Sequence, residues 1–345
     1  MLSCNELKMS TEIVSRPHAR NLVEWAKDKP RVVVLSADLT SSCEVDTFRD
    51  AYPERFFSMG MAEQNMLGFA AGLAREGFFP YIHTFAVFIT RRPFDQLAMS
   101  IAYPSLPVRF IGFLPGITTP GGVTHQAIDD IALMRIVPNM TVLEVGDATE
   151  VESVLDVAQN INGPVYVRML RGEVPRLFPK SEPTQLNHAR ILSRGDDITI
   201  LSSGICTEEA LRATNALAAR SVSIQHLHIS THKPFSDSRI LDALASPRHG
   251  IITMENHLIT GGLGSATAEM MAEHGIGKKL FRIGLRDTYA HGASRAYLMK
   301  KYELDAMALV RAVEQLTREN FDLSEEDLAA AQVSEIHSAA KAEAL

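Results

Sequence analysis

A chain of 345 residues is long enough to bury a sizeable core and to form two domains of ordinary size. Its 46% hydrophobic and 22% charged residues are those of a globular protein, no apolar run reaches the roughly 20 residues that span a bilayer, and a net charge of −7 argues against nonspecific nucleic-acid binding while leaving small anions as partners. Cys4, Cys43 and Cys206 lack disulfide, redox or metal-ligand spacing, and residues 1–10 lack the basic start and apolar stretch of a secretory signal, so a cytoplasmic location without a membrane or metal-site role for these residues is expected.

In chain order, β-branched runs at residues 31–35, 108–111, 141–145 and 164–168 alternate with helical stretches. That alternation predicts a doubly wound α/β domain with a parallel sheet over residues 1–180. Pro175, Pro179, Pro183 and several charges then mark a linker, placed at residues 181–190. A second α/β unit with a mostly parallel sheet is predicted over residues 191–318. Its strands fall near 197–201, 223–227, 250–254 and 279–283, and its helices near 208–219 and 265–273. Residues 319–345, rich in Ala and Glu, predict a helical tail.

Four segments carry candidate chemistry. In Met61-Ala62-Glu63-Gln64-Asn65, a carboxylate stands at the start of a helical run apolar enough to be enclosed on every side. A buried carboxylate must be hydrogen-bonded, protonated or paired, so Glu63 is a helix-cap residue or a catalytic one. In Thr84-Phe85-Ala86-Val87-Phe88, the two aromatics share one face if the segment is helical, and core packing alone would account for them. His125 follows the Gly121-Gly122 loop, ahead of a helix expected from Ala127, as a cap residue or a general acid. Arg168 and Arg171 stand beside an expected strand end, where α/β sheets gather ligands; a surface salt bridge is the plain alternative. The later Gly261-Gly262-Leu263-Gly264 turn matches a dinucleotide fingerprint only in part, since Thr267 stands where Gly or Ala is wanted. A tight turn packing helix on sheet is the expectation there.

Taken in order, Ser36-Ala37-Asp38-Leu39, Met61 to Asn65, Thr84 to Phe88, Thr124-His125-Gln126, Arg168 to Gly172 and Met254-Glu255-Asn256-His257 resemble the transketolase family of thiamine-diphosphate enzymes. The resemblance covers that family's pyrimidine-binding and C-terminal domains. It implies that Glu63 hydrogen-bonds the cofactor's aminopyrimidine ring and promotes its imino tautomer, that Phe85 and Phe88 form the bed for the ring, and that Asp38 and Leu39 lie in the cofactor cleft. It implies that His125 contacts substrate oxygens and shuttles a proton, and that Arg171, Arg16 and Ser42 hold the substrate phosphate. The family's diphosphate- and Mg²⁺-binding segment has no counterpart here. The resemblance therefore implies a split enzyme whose partner chain supplies the diphosphate and metal site, in an α2β2 assembly acting on sugar phosphates.

Two departures redirect the expected specificity. Gly121 stands where the family carries an Asp that reads a substrate hydroxyl, and Phe113 stands near the place of a phosphate-holding His. Removing a hydroxyl-reading group relaxes selectivity, and extra room at Gly121 suggests a branched ketose phosphate such as apulose 4-phosphate. The rival readings are a β subunit of a 2-oxo acid dehydrogenase, a synthase condensing pyruvate with glyceraldehyde 3-phosphate, and a noncatalytic assembly or regulatory subunit.

Overall fold

The computed structural model describes residues 12–329, so the expectations for residues 1–10, for Cys4 and for most of the tail fall outside the described part. Fourteen strands are formed among the described residues: β1 (Ile13–Ser15), β2 (Val32–Ser36), β3 (Phe56–Ser58), β4 (Phe79–Phe85), β5 (Arg109–Phe113), β6 (Thr141–Glu144), β7 (Val165–Met169), β8 (Glu173–Pro175), β9 (Arg190–Ser193), β10 (Ile198–Ser202), β11 (Ile224–His228), β12 (Thr231–Lys233), β13 (Gly250–Leu258) and β14 (Leu280–Leu285). β2, β5, β6, β7 and β10 are buried at every position, as strands of a sheet covered on both faces must be.

The first sheet has the order β12-β6-β7-β5-β4-β2-β3 and is parallel except for β12. The second has the order β14-β13-β10-β11-β9, parallel except for β9, and β1 pairs with β8 in a separate antiparallel ribbon. The fold is therefore α/β with two mostly parallel sheets. One strand crosses the expected division: β12 lies in the second unit by sequence yet pairs with β6 of the first sheet, Thr231 opposite Leu143. The β6 edge is covered by this short antiparallel strand.

The segment expected as a linker, residues 181–190, is pinned to both units: the Thr184 N–H donates to Ser153 Oγ at 2.9 Å and the Ala189 N–H to Asp237 at 2.6 Å, and the chain just before it is fixed as well. Asp147 caps the Ala148–Gln159 helix through the Glu150 N–H at 2.8 Å, and its other oxygen accepts the Leu177 and Phe178 N–H groups at 2.9 Å each. Leu177 and Phe178 are buried with Leu192 and Leu211 in a small core of their own.

Beneath the junction of the two units lies an ionic network. Arg168 on β7 is fully enclosed, not a surface residue. Its guanidinium donates to both oxygens of Asp130 (2.7 and 3.0 Å), to Glu144 (2.5 Å) and to the carbonyls of Ala127 and Asn256 (3.1 Å each). Tyr166 donates to Asp130 at 2.5 Å, and His232 of β12 meets the far oxygen of Glu144 at 2.8 Å. Burial alone would lower the Arg168 pKa; the two carboxylates outweigh it and hold the group above the ordinary arginine range. For Glu144 burial acts upward, and Arg168 and His232 outweigh it, so its pKa ends below the carboxylate range.

Candidate active site

In the first sheet the chain passes from β2 to β3 on one side and returns to β4 on the other, so the loops leaving β2 and β4 diverge. Such a reversal opens a crevice at the carboxyl ends of parallel strands. Asp38, Leu39 and Ser42 follow β2, Glu63 follows β3, Phe85 ends β4, His125 follows β5, Arg171 follows β7, and Arg16 follows β1. Asp38 is exposed with a left-handed backbone (φ 61°), and the Leu39 N–H donates to Ser36 Oγ at 3.3 Å.

Glu63 is the first residue of the Glu63–Arg75 helix and its side chain is 4% exposed. Its partner is Arg92, whose Nη1 donates to Oε1 at 2.5 Å while the guanidinium lies over the Phe88 ring, 3.7 Å from the centroid. The helix is not enclosed on every side: Gln64, Asn65, Gly68, Phe69 and Gly72 form an outward face opposite Met66, Leu67, Ala70 and Ala74, continued by Met61 before the helix. Helical periodicity thus sorts these residues into two faces, and Glu63 is on the buried one.

Phe85 and Phe88 do not share a helix. Phe85 is extended at the end of β4 (φ −69°, ψ 145°) and the helix begins at Ala86. The bend still brings the two rings to 5.6 Å, tilted by 32°. His125 stands edge-on to both, at 5.5 Å from Phe88 and 6.0 Å from Phe85, with Nδ1 at 2.8 Å from Thr124 Oγ1. The helix after it starts at Asp130, not Ala127, because Ala127 is held in a bridge with Pro115. The space beside Gly121 is taken: a Cβ there would stand 3.0 Å from Cβ and Cγ of His125. The expected extra room is filled by the histidine itself.

At the other end, Arg171 Nη1 donates to the Ser42 carbonyl at 2.8 Å and its guanidinium lies 5.8 Å from the Phe85 ring centre. Arg16, in a left-handed backbone (φ 47°), joins Asp46 through its side chain and the Gly172 carbonyl through its N–H at 2.8 Å. Between these arginines sits Glu44, which the sequence reading passed over. Its buried carboxylate accepts the N–H groups of Gly172 (2.6 Å) and Ala19 (3.4 Å), tying its own loop to the loop after β7 and to the start of the Pro17–Trp25 helix. Burial raises its pKa, and those N–H groups with Arg16 and Arg171 oppose the rise. An acidic residue two positions past Ser42 was the available signal.

Phe113 is fully buried against His18 and His83, whose Nε2 atoms are 3.0 Å apart, so this position faces the core and not a ligand. Among the described residues, no three His, Cys, Asp or Glu side chains are grouped to hold a metal ion, Cys43 and Cys206 are buried, and no helix is long and apolar enough to cross a membrane.

The second unit reaches the crevice through its own motif. Asn256 accepts the Ile117 N–H at 3.0 Å and donates to the Pro115 carbonyl at 3.1 Å, and a Cβ on Gly116 would lie 2.2 Å from it. Gln126 donates to the His291 carbonyl at 3.1 Å. The glycine-rich turn is not a nucleotide loop. Its helix N-terminus is already filled by Glu255, whose oxygens accept the Leu263 and Gly264 N–H groups at 2.7 and 2.8 Å, and a Cβ on Gly262 would lie 1.9 Å from that carboxylate.

Complete burial pushes the Glu255 carboxyl up to about 8 against the opposing pull of those two N–H groups. A folded-state pKa above the unfolded one contributes stability that is full at low pH and lost as pH rises through the folded value. We therefore expect wild-type stability to carry a component falling by up to about 1.4 kcal/mol per pH unit between roughly pH 4.5 and 8, absent in Glu255→Gln. Urea midpoints of both proteins at pH 5.5, 6.5 and 7.5 test this, and parallel profiles would rule out a raised Glu255.

Residues 18–176 match the transketolase pyrimidine-binding domain and residues 187–309 match the transketolase C-terminal domain. The chain is 37% identical over 318 residues to the 6-deoxy-6-sulfo-D-fructose transketolase subunit SqwH of Clostridium sp. (strain MSTE9), covering 92% of this chain and 98% of that one. It superposes on a solved split-gene transketolase, described as an inactive β4 tetramer, with a TM-score of 0.80 at 36% identity, covering 88% and 97% of the two chains. A transketolase of Pichia stipitis shares the fold (TM-score 0.72, 18% identity), with 89% of this chain matching 46% of that one. The protein belongs to the transketolase family of thiamine-diphosphate-dependent transferases, and it is similar to the subunits of split members over almost their whole length.

Proposed function

We propose that this chain is the pyrimidine-binding subunit of a split transketolase, transferring a two-carbon ketol unit from a ketose carrying a terminal anion to an aldose phosphate or ketone acceptor. The observation that carries the reading is the unbroken run of contacts Glu63–Arg92–Phe88–His125–Phe85–Arg171–Ser42 along one crevice. The crevice fits an aminopyrimidine, because the Glu63 carboxylate and the Phe88 face already hold a flat N–C–N group, the Arg92 guanidinium. Thiamine diphosphate, when bound, supplies the carbanion chemistry of ketol transfer. Glu63 holds the proton at the ring nitrogen from a site where low dielectric strengthens that hydrogen bond. Phe85 and Phe88 present flat apolar faces to the ring, with Asp38 and Leu39 bordering it. His125 donates to and accepts from the substrate carbonyl and hydroxyl oxygens. Arg171, with Arg16 and Ser42, holds the terminal anion.

The partner chain supplies the diphosphate and Mg²⁺ site in an α2β2 assembly in the cytoplasm, so turnover requires both chains. With no carboxylate at Gly121 the site does not require the hydroxyl that group would read, so branched ketoses such as apulose 4-phosphate are candidate donors even though His125 fills the space beside Gly121. A sulfonate is a second candidate for the terminal anion, since the SqwH relative is named for 6-deoxy-6-sulfo-D-fructose and an arginine fork accepts either oxyanion. The test is to combine the chain with its partner, thiamine diphosphate and Mg²⁺, and to measure aldehyde or ketone release from xylulose 5-phosphate, apulose 4-phosphate and 6-deoxy-6-sulfofructose. A complex that binds cofactor yet cleaves no donor is an assembly subunit and ends the reading. Arg171→Ala is expected to raise KM for the best anionic donor by about 10–100-fold with a smaller effect on kcat. An unchanged KM would remove Arg171 from the anion site.

A further inference from the structure

Arg92 occupies a position that no family pattern in the sequence marked. It ends the Ala86–Arg91 helix as its C-cap, and its side chain is 47% exposed, whereas the carboxylate it meets is 4% exposed. The guanidinium therefore forms the outer cover of Glu63. Two contacts define its placement: an edge N–H on Glu63 Oε1 at 2.5 Å, and a flat face on Phe88 at 3.7 Å. The Gln64 side chain also donates to the Arg92 carbonyl at 3.3 Å, fastening the turn beside the start of the Glu63–Arg75 helix.

A guanidinium and an aminopyrimidine share a planar N–C–N unit whose edge donates hydrogen bonds and whose face stacks on an aromatic ring. Resting on the proposed function above, we propose that Arg92 is an internal competitor of the cofactor ring: it plugs the Glu63–Phe88 site in the cofactor-free chain and must leave for the ring to enter. One Glu63 edge and one Phe88 face are satisfied by one planar group at a time. While the plug is in place, the buried Glu63 side chain has a hydrogen-bonded cation beside it, so the subunit keeps this group partnered before assembly. The half-exposed stem of Arg92 gives it a way out toward solvent that Glu63 lacks.

Removing the plug leaves the cofactor-free site with an unpaired buried carboxylate and takes away the group that the ring has to displace. Both effects favour the cofactor. In the assembled complex with Mg²⁺, Arg92→Ala is expected to bind thiamine diphosphate about tenfold more tightly than wild type by titration calorimetry, while its cofactor-free melting temperature falls. Millimolar methylguanidinium is expected to weaken that binding in Arg92→Ala and to leave wild type unaffected. Arg92→Lys, which keeps the charge without the flat face, is expected to lie between the two and serves if the alanine variant folds poorly. Equal or weaker cofactor affinity in both variants, with no methylguanidinium effect, overturns the plug. If wild type and both variants all fail to bind thiamine diphosphate, the functional reading itself is lost, an outcome distinct from failure of the plug alone.

Discussion

Glu63→Gln is expected to lower kcat of the assembled enzyme by about 10²–10⁴-fold while leaving the chain folded. The side chain is almost wholly enclosed, and its cationic partner, Arg92, can donate to an amide oxygen as well as to a carboxylate. The Glu63–Arg75 helix and its packing through Met66, Leu67 and Ala70 therefore persist. What the amide lacks is a titratable oxygen. A group that must hold and return a proton at the ring nitrogen cannot be replaced by one that never changes charge, so the loss falls on turnover. Steady-state kinetics at saturating thiamine diphosphate and donor, alongside a melting curve of the variant, decide the matter. Turnover within a few-fold of wild type would exclude the assigned role.

The second large effect is on stability. Arg168→Met is expected to destabilise the chain by about 3–5 kcal/mol, because it leaves the buried carboxylates of Asp130 and Glu144 without their shared cation. Methionine fills much of the volume, so the cost is electrostatic and not a cavity. Arg168→Lys keeps the charge but has three donors for five contacts, so a smaller loss is expected. Thermal melts should show a fall of roughly 5–10 °C for the methionine variant. A shift within 1 °C would mean that the network relaxes around the missing charge.

Most of the longer strands were legible because parallel strands covered on both faces must be continuous apolar runs, as in Val32 to Leu35 and Val165 to Val167; β4 was not, because its aromatic end suggests a helix face. β1, β3, β8 and β12 were not, since three residues carry no periodicity to read. Phe85 and Phe88 were paired correctly in space for a mistaken reason: two aromatics three apart suggest a helix face, and the change from strand to helix between Phe85 and Ala86 brings them together another way. Arg168 is neither of the two things its place at a strand end suggests, a ligand contact or a surface salt bridge, because its partners, Asp130, Glu144 and Asn256, lie 24 to 88 positions away. Arg92 was present in the aromatic segment yet had no legible role, as its contact with Glu63 joins the end of one helix to the start of another across 29 positions. Sequence spacing reports neighbours on one element; it is silent on which elements the sheet order brings side by side.

That sheet order has a bearing on how such an enzyme can be divided. β12 closes the first sheet against β6, and His232 on that strand supplies one partner of Glu144. A cut through residues 181–190 would look natural from the two matched domains, yet it would strip β6 of its neighbour, leaving open backbone donors and acceptors at an apolar edge and a buried carboxylate short of a ligand. Recombination between relatives is constrained in the same way: a chimera that exchanges one unit carries a foreign edge strand into the other. The two units can be counted separately in sequence, but the shared edge strand makes them one piece of architecture.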